Sequence, residues 1–171
     1  RDRVDCIIFA TGFEVGTEYS RRAGYQIHGV DGKTVTQKWQ NGLATFHGMH
    51  SRGFPNAFFF GPAQSGFTAT YTYSLDEQSI HLAYILEKII DKGATRVEAS
   101  QEAEEQWIQT IIEKARLTAD FQENCTPGYY NNEGKINQTP QNNTYGGGPI
   151  EFFSLMKKWR SKDSLEGLEI N

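Results

Sequence analysis

The small residues Ala10, Thr11 and Gly12 directly follow an apolar run, residues 6–9, and could admit a cofactor. A short run of aromatic and β-branched residues is typical of a strand that is buried on both faces, as in parallel sheets. Open α/β sheets bind ligands beyond the carboxyl ends of such strands, where small residues let a backbone approach the ligand closely. The sequence therefore predicts a cofactor-binding loop at residues 10–12.

A second loop of this kind begins with Gly61 and Pro62, after the apolar run at residues 57–60. The residues that follow lead into a predicted helix, whose first backbone N–H groups and positive dipole end could face an electron-rich ligand edge. Aromatic and hydroxyl side chains at residues 67–73 would suit a mostly apolar cavity with a few polar anchors. An ordinary Gly-Pro turn before a capped helix, with these side chains as caps and core aromatics, is the alternative.

His47 and His50 form an H-x-x-H pattern that could supply two metal ligands. No Cys, Asp or Glu lies close by at a suitable spacing, so no metal site is predicted. Structural or surface roles are expected for this pair. His28 and His81 are assigned no role, and no nucleophile elbow supports Ser/His/Asp catalysis.

The elements that would position these loops are two buried strands, a hairpin and three helices. A hairpin is predicted over residues 24–36, because Asp31-Gly32 is a common turn dipeptide between alternating residues. The first helix should end at Gly93 and begin near Thr68 or at Ser74, which could form a capping box with Glu77. Its expected core stripe is Leu82, Ile85, Leu86, Ile89 and Ile90.

Two more helices flank a polar segment. The second helix is predicted from about residue 100 to 120, with Glu102, Glu104 and Glu105 favouring its N-terminal dipole. Residues 121–148 are polar and rich in Gly, Asn and Pro, which predicts a lid-like loop. Pro149 should open the third helix. The apolar stripes are Trp107, Ile108, Ile111, Ile112 and Ala115 in the second helix, and Phe152, Leu155, Met156 and Trp159 in the third.

The composition is that of an ordinary globular chain. The 171 residues are 37% hydrophobic and 22% charged, with a net charge of −4. That balance argues against a nucleic-acid or anionic-membrane partner, and no run of about 18 apolar residues predicts a membrane span. The two cysteines imply no disulfide framework: Cys6 is expected to be a buried hydrophobe, and a reducing, cytoplasmic location fits best.

Residues 5–13, D-C-I-I-F-A-T-G-F, resemble the linker motif of flavin-containing and Baeyer–Villiger monooxygenases, where the chain returns from the NADP domain to the FAD domain. The likeness continues in order through Trp39 and residues 53–56 (GFPN), 58–62 (FFFGP), 77–78 (EQ), 127–135 (PGYYNNEGK) and 145–148 (YGGG). This order is similar to the C-terminal portion of a Baeyer–Villiger monooxygenase, in particular the branch that acts on large-ring, polycyclic or steroid-like ketones. The sequence contains neither G-x-G-x-x-G nor the family fingerprint F-x-G-x-x-x-H-x-x-x-W, so we expect a fragment of a longer enzyme.

The resemblance implies an α/β fold, namely the C-terminal half of a Rossmann-like FAD-binding domain of the two-dinucleotide-binding-domain flavin monooxygenase fold. Three helices and a long polar loop would belong to it. Residues 1–16 would form the linker strand, and residues 17–171 the C-terminal portion of the FAD domain. Residues 121–148 would be the mobile control loop over NADP and substrate.

The resemblance also assigns binding residues. Cofactor contacts are expected at Ala10, Thr11, Gly12, Gly61, Pro62, Thr70, Tyr71 and Thr72. Substrate contacts are expected at Phe67, Thr68, Tyr71, Tyr73, Thr126 and Tyr129. Family members often carry a Trp at or near the position of Thr126. In the family the stretch that corresponds to residues 43–55 runs along the ligand crevice, which makes His50 and Arg52 candidate neighbours of cofactor or substrate. The family's catalytic arginine and aspartate would lie upstream of this chain, so no catalytic residue is named here.

By the same resemblance, the full enzyme would use FAD, NADPH and O2 to insert one oxygen atom beside a ketone carbonyl, giving an ester or lactone. Its partner would be the N-terminal remainder of the same enzyme, and the fragment alone should be inactive. One alternative is a flavin-containing monooxygenase that oxygenates nitrogen or sulfur, because it shares the motif at residues 10–12. The other is a non-catalytic binding module that needs an upstream chain.

Overall fold

The computed structural model describes residues 4–10, 23–115, 126 and 139–171. The described residues form an α/β unit with four α-helices and one small sheet. The helices are α1 (Val35–Lys38), α2 (Tyr71–Asp91), α3 (Gln101–Lys114) and α4 (Pro149–Ser161), with 3-10 turns at Val30–Gly32 and Pro140–Asn142. The strands β1 (Val97–Ala99) and β2 (Leu168–Ile170) pair antiparallel, with Val97 opposite Ile170.

The ends of the three long helices follow from local chemistry. The N–H of Gly93, a residue with a φ of +65°, donates to Ile90 O (2.9 Å) and ends α2 as predicted. Ser100 caps α3, since its hydroxyl accepts from the Ala103 N–H (3.1 Å). Pro149 occupies the first position of α4, where its missing N–H costs nothing.

The hairpin predicted at residues 24–36 is a tight reversal with a single bridge, between His28 and Thr34. Asp31 and Gly32 both have positive φ, 58° and 73°, as the Asp-Gly turn requires. The ladder stops at Thr34 because this residue forms a capping box with Gln37 and begins α1.

The core lies between α2, α3, α4 and the small sheet. The stripe predicted for α4 is confirmed at Phe152, Met156 and Trp159, and Phe153 is also buried. The main buried cluster further includes Phe46, Ile85, Ile89, Val97, Ala99, Ala103, Trp107, Ile111, Tyr145 and Leu165. A smaller cluster consists of Val35, Phe54 and Phe59.

The two predicted buried strands are absent from the described residues. Ile7, Ile8 and Phe9 are 66%, 84% and 84% exposed, and Cys6 is an exposed free thiol instead of a buried hydrophobe. An interior parallel strand needs a hydrogen-bonded neighbour on each side and cover on both faces. The described part of the chain supplies neither to residues 6–9, so the strand does not form among the described residues.

Residues 57–60 also form no strand. The N–H of Phe59 donates to Met49 O (2.9 Å) and its side chain is buried, but Phe60 is 40% exposed. This segment therefore runs beside the turn at residues 46–50 without a ladder.

The apolar stripe predicted for α2 is half wrong. Ile85 and Ile89 are buried, whereas Leu86 and Ile90 are exposed. The buried face continues instead through polar side chains, namely Ser74, Gln78 and His81. Ser74 lies within the helix, so the capping box that it was predicted to form with Glu77 does not exist.

No helix among the described residues is long and apolar enough to cross a membrane.

Candidate functional site

The turn at residues 61–66 is held against α2 by one buried side chain, Gln78. Its Nε2 donates to Gly61 O (2.8 Å) and Ser65 Oγ (2.9 Å), and its Oε1 accepts from Gly61 N–H (3.3 Å). Gly66 follows, where a Cβ would lie only 2.8 Å from the Phe152 ring. The turn is therefore fixed to the helix that follows it and packed tightly on α4.

The first turn of α2 lacks a side-chain cap. Its N-cap residue, Thr70, makes no side-chain hydrogen bond to the helix backbone. The neighbouring hydroxyl of Thr68 donates to Thr70 O (2.6 Å), and the Thr68 N–H is bound by Ser74 Oγ (3.2 Å). The Tyr73 N–H donates to Thr70 O (3.0 Å), whereas no side chain caps the N–H groups of Tyr71 and Thr72, which are placed to bind a ligand.

An exposed aromatic surface borders this helix start. The rings of Phe67 and Tyr71 lie 5.9 Å apart and are 45% and 40% exposed. Tyr73 packs edge-on against Phe153 at 5.4 Å and donates its hydroxyl to Glu77 (3.2 Å). The nearby Glu77 carboxylate raises the pKa of Tyr73. Rings next to free backbone donors could accept a flat ligand with both apolar and polar edges.

The structure brings together most of the binding residues predicted from the sequence. Gly61, Pro62, Phe67, Thr68, Thr70, Tyr71, Thr72 and Tyr73 lie along one continuous segment, the turn and helix start described above.

The remaining predicted residues are Ala10, Thr11, Gly12, Thr126 and Tyr129. Ala10 is exposed and its N–H makes a local hydrogen bond to Ile8 O (3.1 Å). Thr126 is described and exposed. Thr11, Gly12 and Tyr129 lie outside the described residues.

Gln64 is a buried residue that the sequence analysis missed. Its Nε2 donates to Leu43 O and to Gln141 O, both at 2.8 Å, and its Oε1 accepts from the Thr45 hydroxyl. Its backbone O accepts from the Trp107 indole N–H (3.1 Å). Gln64 thereby ties the turn to three other segments of the chain.

The sequence pattern could have indicated the burial of Gln78, but not that of Gln64. Gln78 stands at helical spacing from Ser74, His81, Ile85 and Ile89, so the 3.6-residue period could have marked it as buried. Gln64 belongs to no periodic element. Its role depends on partners far away in sequence and could not be found from local pattern.

Three histidines are buried beside the turn. His47 stacks on Phe46 at 3.7 Å and lies 5.4 Å from His81, measured between ring centroids, while His50 packs edge-on against Phe58. Among the described atoms, His47 Nδ1, His50 Nε2 and His81 Nε2 have no hydrogen-bond partner. A cavity of about 10 Å³ lies between His47 and His81, lined also by Gln78 and Met156.

Burial keeps these histidines uncharged. Desolvation lowers the pKa of His50 to about 4. Desolvation, helped by His50 and Arg160, lowers the pKa of His81 to about 3. The pKa of His47 is lowered by burial first, and then by His81 and His50. The described residues contain no group of three or more His, Cys, Asp or Glu that could hold a metal ion.

Arg52, considered as a cofactor neighbour, has a structural role. Its guanidinium pairs with Glu169 and donates to Ala99 O (3.1 Å), and its N–H donates to Glu104 Oε1 (2.7 Å). Glu104 is itself buried and pairs with Lys38 (2.6 Å). These ion pairs and hydrogen bonds connect Lys38 and Arg52, which precede the turn at residues 61–66, to α3 and β2.

Named relatives match nearly the whole chain. It is 45% identical over 170 residues to neopentalenolactone D synthase of Streptomyces avermitilis, covering 98% of this chain and 29% of that protein. It is 38% identical to a Baeyer–Villiger monooxygenase of Stachybotrys chlorohalonatus, covering 98% of this chain and 27% of the relative. It is 35% identical to an FAD-binding monooxygenase of Hypomyces subiculosus, covering 97% of this chain and 28% of the relative. No family model matches the sequence.

Solved structures share the fold. The polycyclic ketone monooxygenase of Thermothelomyces thermophila superposes with a TM-score of 0.83 at 33% identity, over 90% of this chain and 25% of that one. The OTEMO complex with FAD and NADP superposes at 0.66 and 23% identity, over 88% of this chain and 27% of that one, which supports the fold alone.

These relatives define a class, the flavoprotein monooxygenases. Within that class the chain is similar, over nearly its whole length, to proteins named as Baeyer–Villiger monooxygenases, as the resemblance of its motifs implied. The chain spans about 29% of the length of the first curated relatives that it matches.

Proposed function

We propose that this chain is the C-terminal part of an NADPH- and FAD-dependent Baeyer–Villiger monooxygenase, which inserts one oxygen atom from O2 beside a ketone carbonyl to give an ester or lactone. The observation that carries this proposal is the turn at residues 61–66 leading into the uncapped, aromatic start of α2. The similarity to proteins named as Baeyer–Villiger monooxygenases supports the same reaction. The remainder of the enzyme would supply the catalytic residues.

The site residues fit the edge of a flavin. The free backbone donors of the first turn of α2, at the positive end of the helix dipole, suit the electron-rich edge of the ring. We assign cofactor contacts to Gly61, Pro62, Thr70, Tyr71 and Thr72, and to Ala10, Thr11 and Gly12 of the linker. When bound, FAD reduced by NADPH supplies the oxygen chemistry. This chain's residues bind and orient the flavin and exclude water.

The substrate is a bulky ketone in this proposal. Phe67 and Tyr71 present exposed rings beside the flavin-facing turn, with Thr68 and Tyr73 as polar anchors. Thr126 and Tyr129 would complete the wall. The name of the structural relative from Thermothelomyces thermophila, a polycyclic ketone monooxygenase, supports this substrate class.

We further propose that residues 17–171 complete a Rossmann-like FAD-binding domain, with residues 1–16 as the linker strand. The exposure of the apolar run at residues 7–9 supports this, because such side chains need cover. Residues 121–148 would be the control loop. Its described end supports this role, because Asn143 O and the Tyr145 N–H bind the backbone of Gln64 and Ser65 at 2.9 and 3.0 Å.

The test is product analysis with the full-length protein. We expect flavin absorption bands in the purified protein, and a lactone when NADPH, O2 and a polycyclic ketone are supplied. A thioether in parallel tests the alternative: a sulfoxide without any lactone would assign the protein to the nitrogen- or sulfur-oxygenating monooxygenases. A colourless full-length protein that binds no added FAD would favour a non-catalytic module.

The control loop has a separate test. Hydrogen exchange across residues 126–148 of the full-length protein should slow when NADP binds. Equal exchange rates with and without NADP would remove the loop assignment and leave the reaction assignment standing.

A further inference from the structure

Gln64 occupies a position that is costly for its residue type. Its backbone φ is 54°, in the left-handed region that favours glycine, and its side chain is wholly buried. A buried amide must also have all its hydrogen bonds satisfied. A glycine would meet the backbone requirement more easily, so a specific role of the side chain accounts for a glutamine here.

The side-chain hydrogen bonds of Gln64 divide into two sets. On one side, Oε1 accepts from the Thr45 hydroxyl. On the other side, Nε2 uses both its hydrogens, one for Leu43 O and one for Gln141 O. The bond to Gln141 O therefore links the turn at residues 61–66 to residues 139–145, and the bond to Leu43 O links it to residues 43–45.

That link is reinforced on both sides of Gln64. The Gln64 N–H donates to Asn143 O (2.9 Å), and the Tyr145 N–H donates to Ser65 O (3.0 Å). Leu43 also receives two bonds from this segment's side chains, since Gln141 Nε2 binds its carbonyl (2.9 Å) and Asn142 Oδ1 binds its N–H (2.7 Å). Gln64 stands at the centre of this junction.

We propose that Gln64 is a positioning residue that holds the described end of the control loop, residues 139–145, in register with the flavin-facing turn. The inference rests on the proposed function for the roles of these two segments. The Gln64 amide bridges the loop carbonyl of Gln141, residues 43–45 and the turn itself. Loss of its Nε2 donors weakens the contact between the turn and the loop end, because only the two backbone hydrogen bonds then join them directly, while Gln78 still holds the turn on α2.

The experiment compares Gln64→Met and Gln64→Gly with Thr45→Val in the full-length protein. Gln64→Met keeps the bulk but removes the donors. Gln64→Gly relieves the positive φ, so it provides a folded variant if Gln64→Met does not fold. Thr45→Val is the matched control, because it removes the bond to Oε1 and leaves both bonds from Nε2 in place.

The first readout is hydrogen exchange of the backbone N–H groups at positions 64 and 145, which donate to Asn143 O and Ser65 O across the junction. Loss of two buried hydrogen bonds should accelerate their exchange about tenfold or more in the Gln64 variants. Thr45→Val should leave these two amides close to wild type. Equal acceleration in Thr45→Val, or none in either Gln64 variant, would overturn the inference.

The second readout is the fraction of NADPH oxidised without formation of ester or lactone. It should rise severalfold in Gln64→Gly and stay at the wild-type level in Thr45→Val. The Gln64→Gly protein could instead melt at a lower temperature and still oxidise the same fraction of NADPH without product as the wild type. That result would show that Gln64 has only a structural role, and it would overturn the proposal. If the wild-type protein oxidises no ketone, the proposed function fails, and the exchange measurement still decides whether Gln64 holds the junction.

Discussion

Acid should destabilise the protein through its buried histidines. His47, His50 and His81 are packed among aromatic rings, and none has a carboxylate partner among the described residues. The nearest charge to His81 is Arg160, whose Nη1 lies 3.4 Å from His81 Nδ1, and it opposes protonation. The perturbation is a change of pH from 7.5 to 5.0 at constant temperature.

The magnitude follows from the lowered pKa values of His50 and His81. In the unfolded chain these histidines titrate near a pKa of 6.5, whereas the folded pKa is about 4 for His50 and about 3 for His81. The unfolded state therefore binds more protons below pH 6.5, and stability falls as the pH drops from 6.5 towards the folded pKa. At pH 5, 1.5 pH units below the unfolded pKa, each of these two histidines costs about 2 kcal/mol. His47 acts in the same direction.

The assay is urea unfolding followed by tryptophan fluorescence, since Trp107 and Trp159 lie 5.0 and 5.5 Å from the His47 ring. We expect the free energy of unfolding to fall by about 4 kcal/mol or more between pH 7.5 and 5.0. His81→Phe should reduce the loss by about 2 kcal/mol. The control His28→Gln, at an exposed histidine, should leave the loss in place. A free energy that changes by less than about 1 kcal/mol over this range would refute the reasoning.

Four further predictions test the site and its supports. Gln78→Leu removes three hydrogen bonds to Gly61 and Ser65, and should weaken FAD binding by the full-length protein about tenfold, measured as flavin retained after dialysis. Lys38→Met leaves the buried Glu104 carboxylate without its ion pair and should lower the free energy of unfolding by about 3 kcal/mol in urea titrations, whereas an unchanged free energy would contradict a buried pair. Gly48→Ala places a Cβ 2.8 Å from Ala63 O at a φ of +71° and should cost about 1–3 kcal/mol, whereas an unchanged melting temperature would contradict this close approach. Phe67→Ala should raise the KM for a bulky ketone more than the KM for NADPH in steady-state kinetics, and an equal effect on both would argue against a substrate contact.

Local sequence chemistry determined the helices. Ser100, Pro149 and Gly93 lie at the helix ends that their types predict, because caps, fixed φ and positive φ act within one turn of the chain. The Asp31-Gly32 turn follows for the same reason. The motifs at residues 5–13 and 53–62 were sufficient to indicate the family, because residue identity alone carries that signal.

Burial could not be determined locally. Residues 6–9 and 57–60 have the composition of interior strands, yet a strand exists only where neighbours complete its hydrogen bonds. Likewise, α2 buries Gln78, which bonds the turn at residues 61–66, and His81, which packs against Trp159 of α4, while it exposes Ile90. An apolar pattern indicates which residues could be buried, but it does not indicate which segments of the fold pack against them.

The sequence by itself determined the end of α2, the starts of α3 and α4, the Asp31-Gly32 turn and the segment, residues 61–73, in which the candidate site lies, whereas α2 begins at Tyr71 and α3 ends at Lys114 instead of near residue 120. Only the tertiary structure decided how that segment is held. Gln64 and Gln78 reach partners 13 to 77 residues away in the chain, and their amides are satisfied only when those segments meet. Caps and turns are short-range interactions encoded by neighbours, whereas a buried polar junction depends on the whole fold.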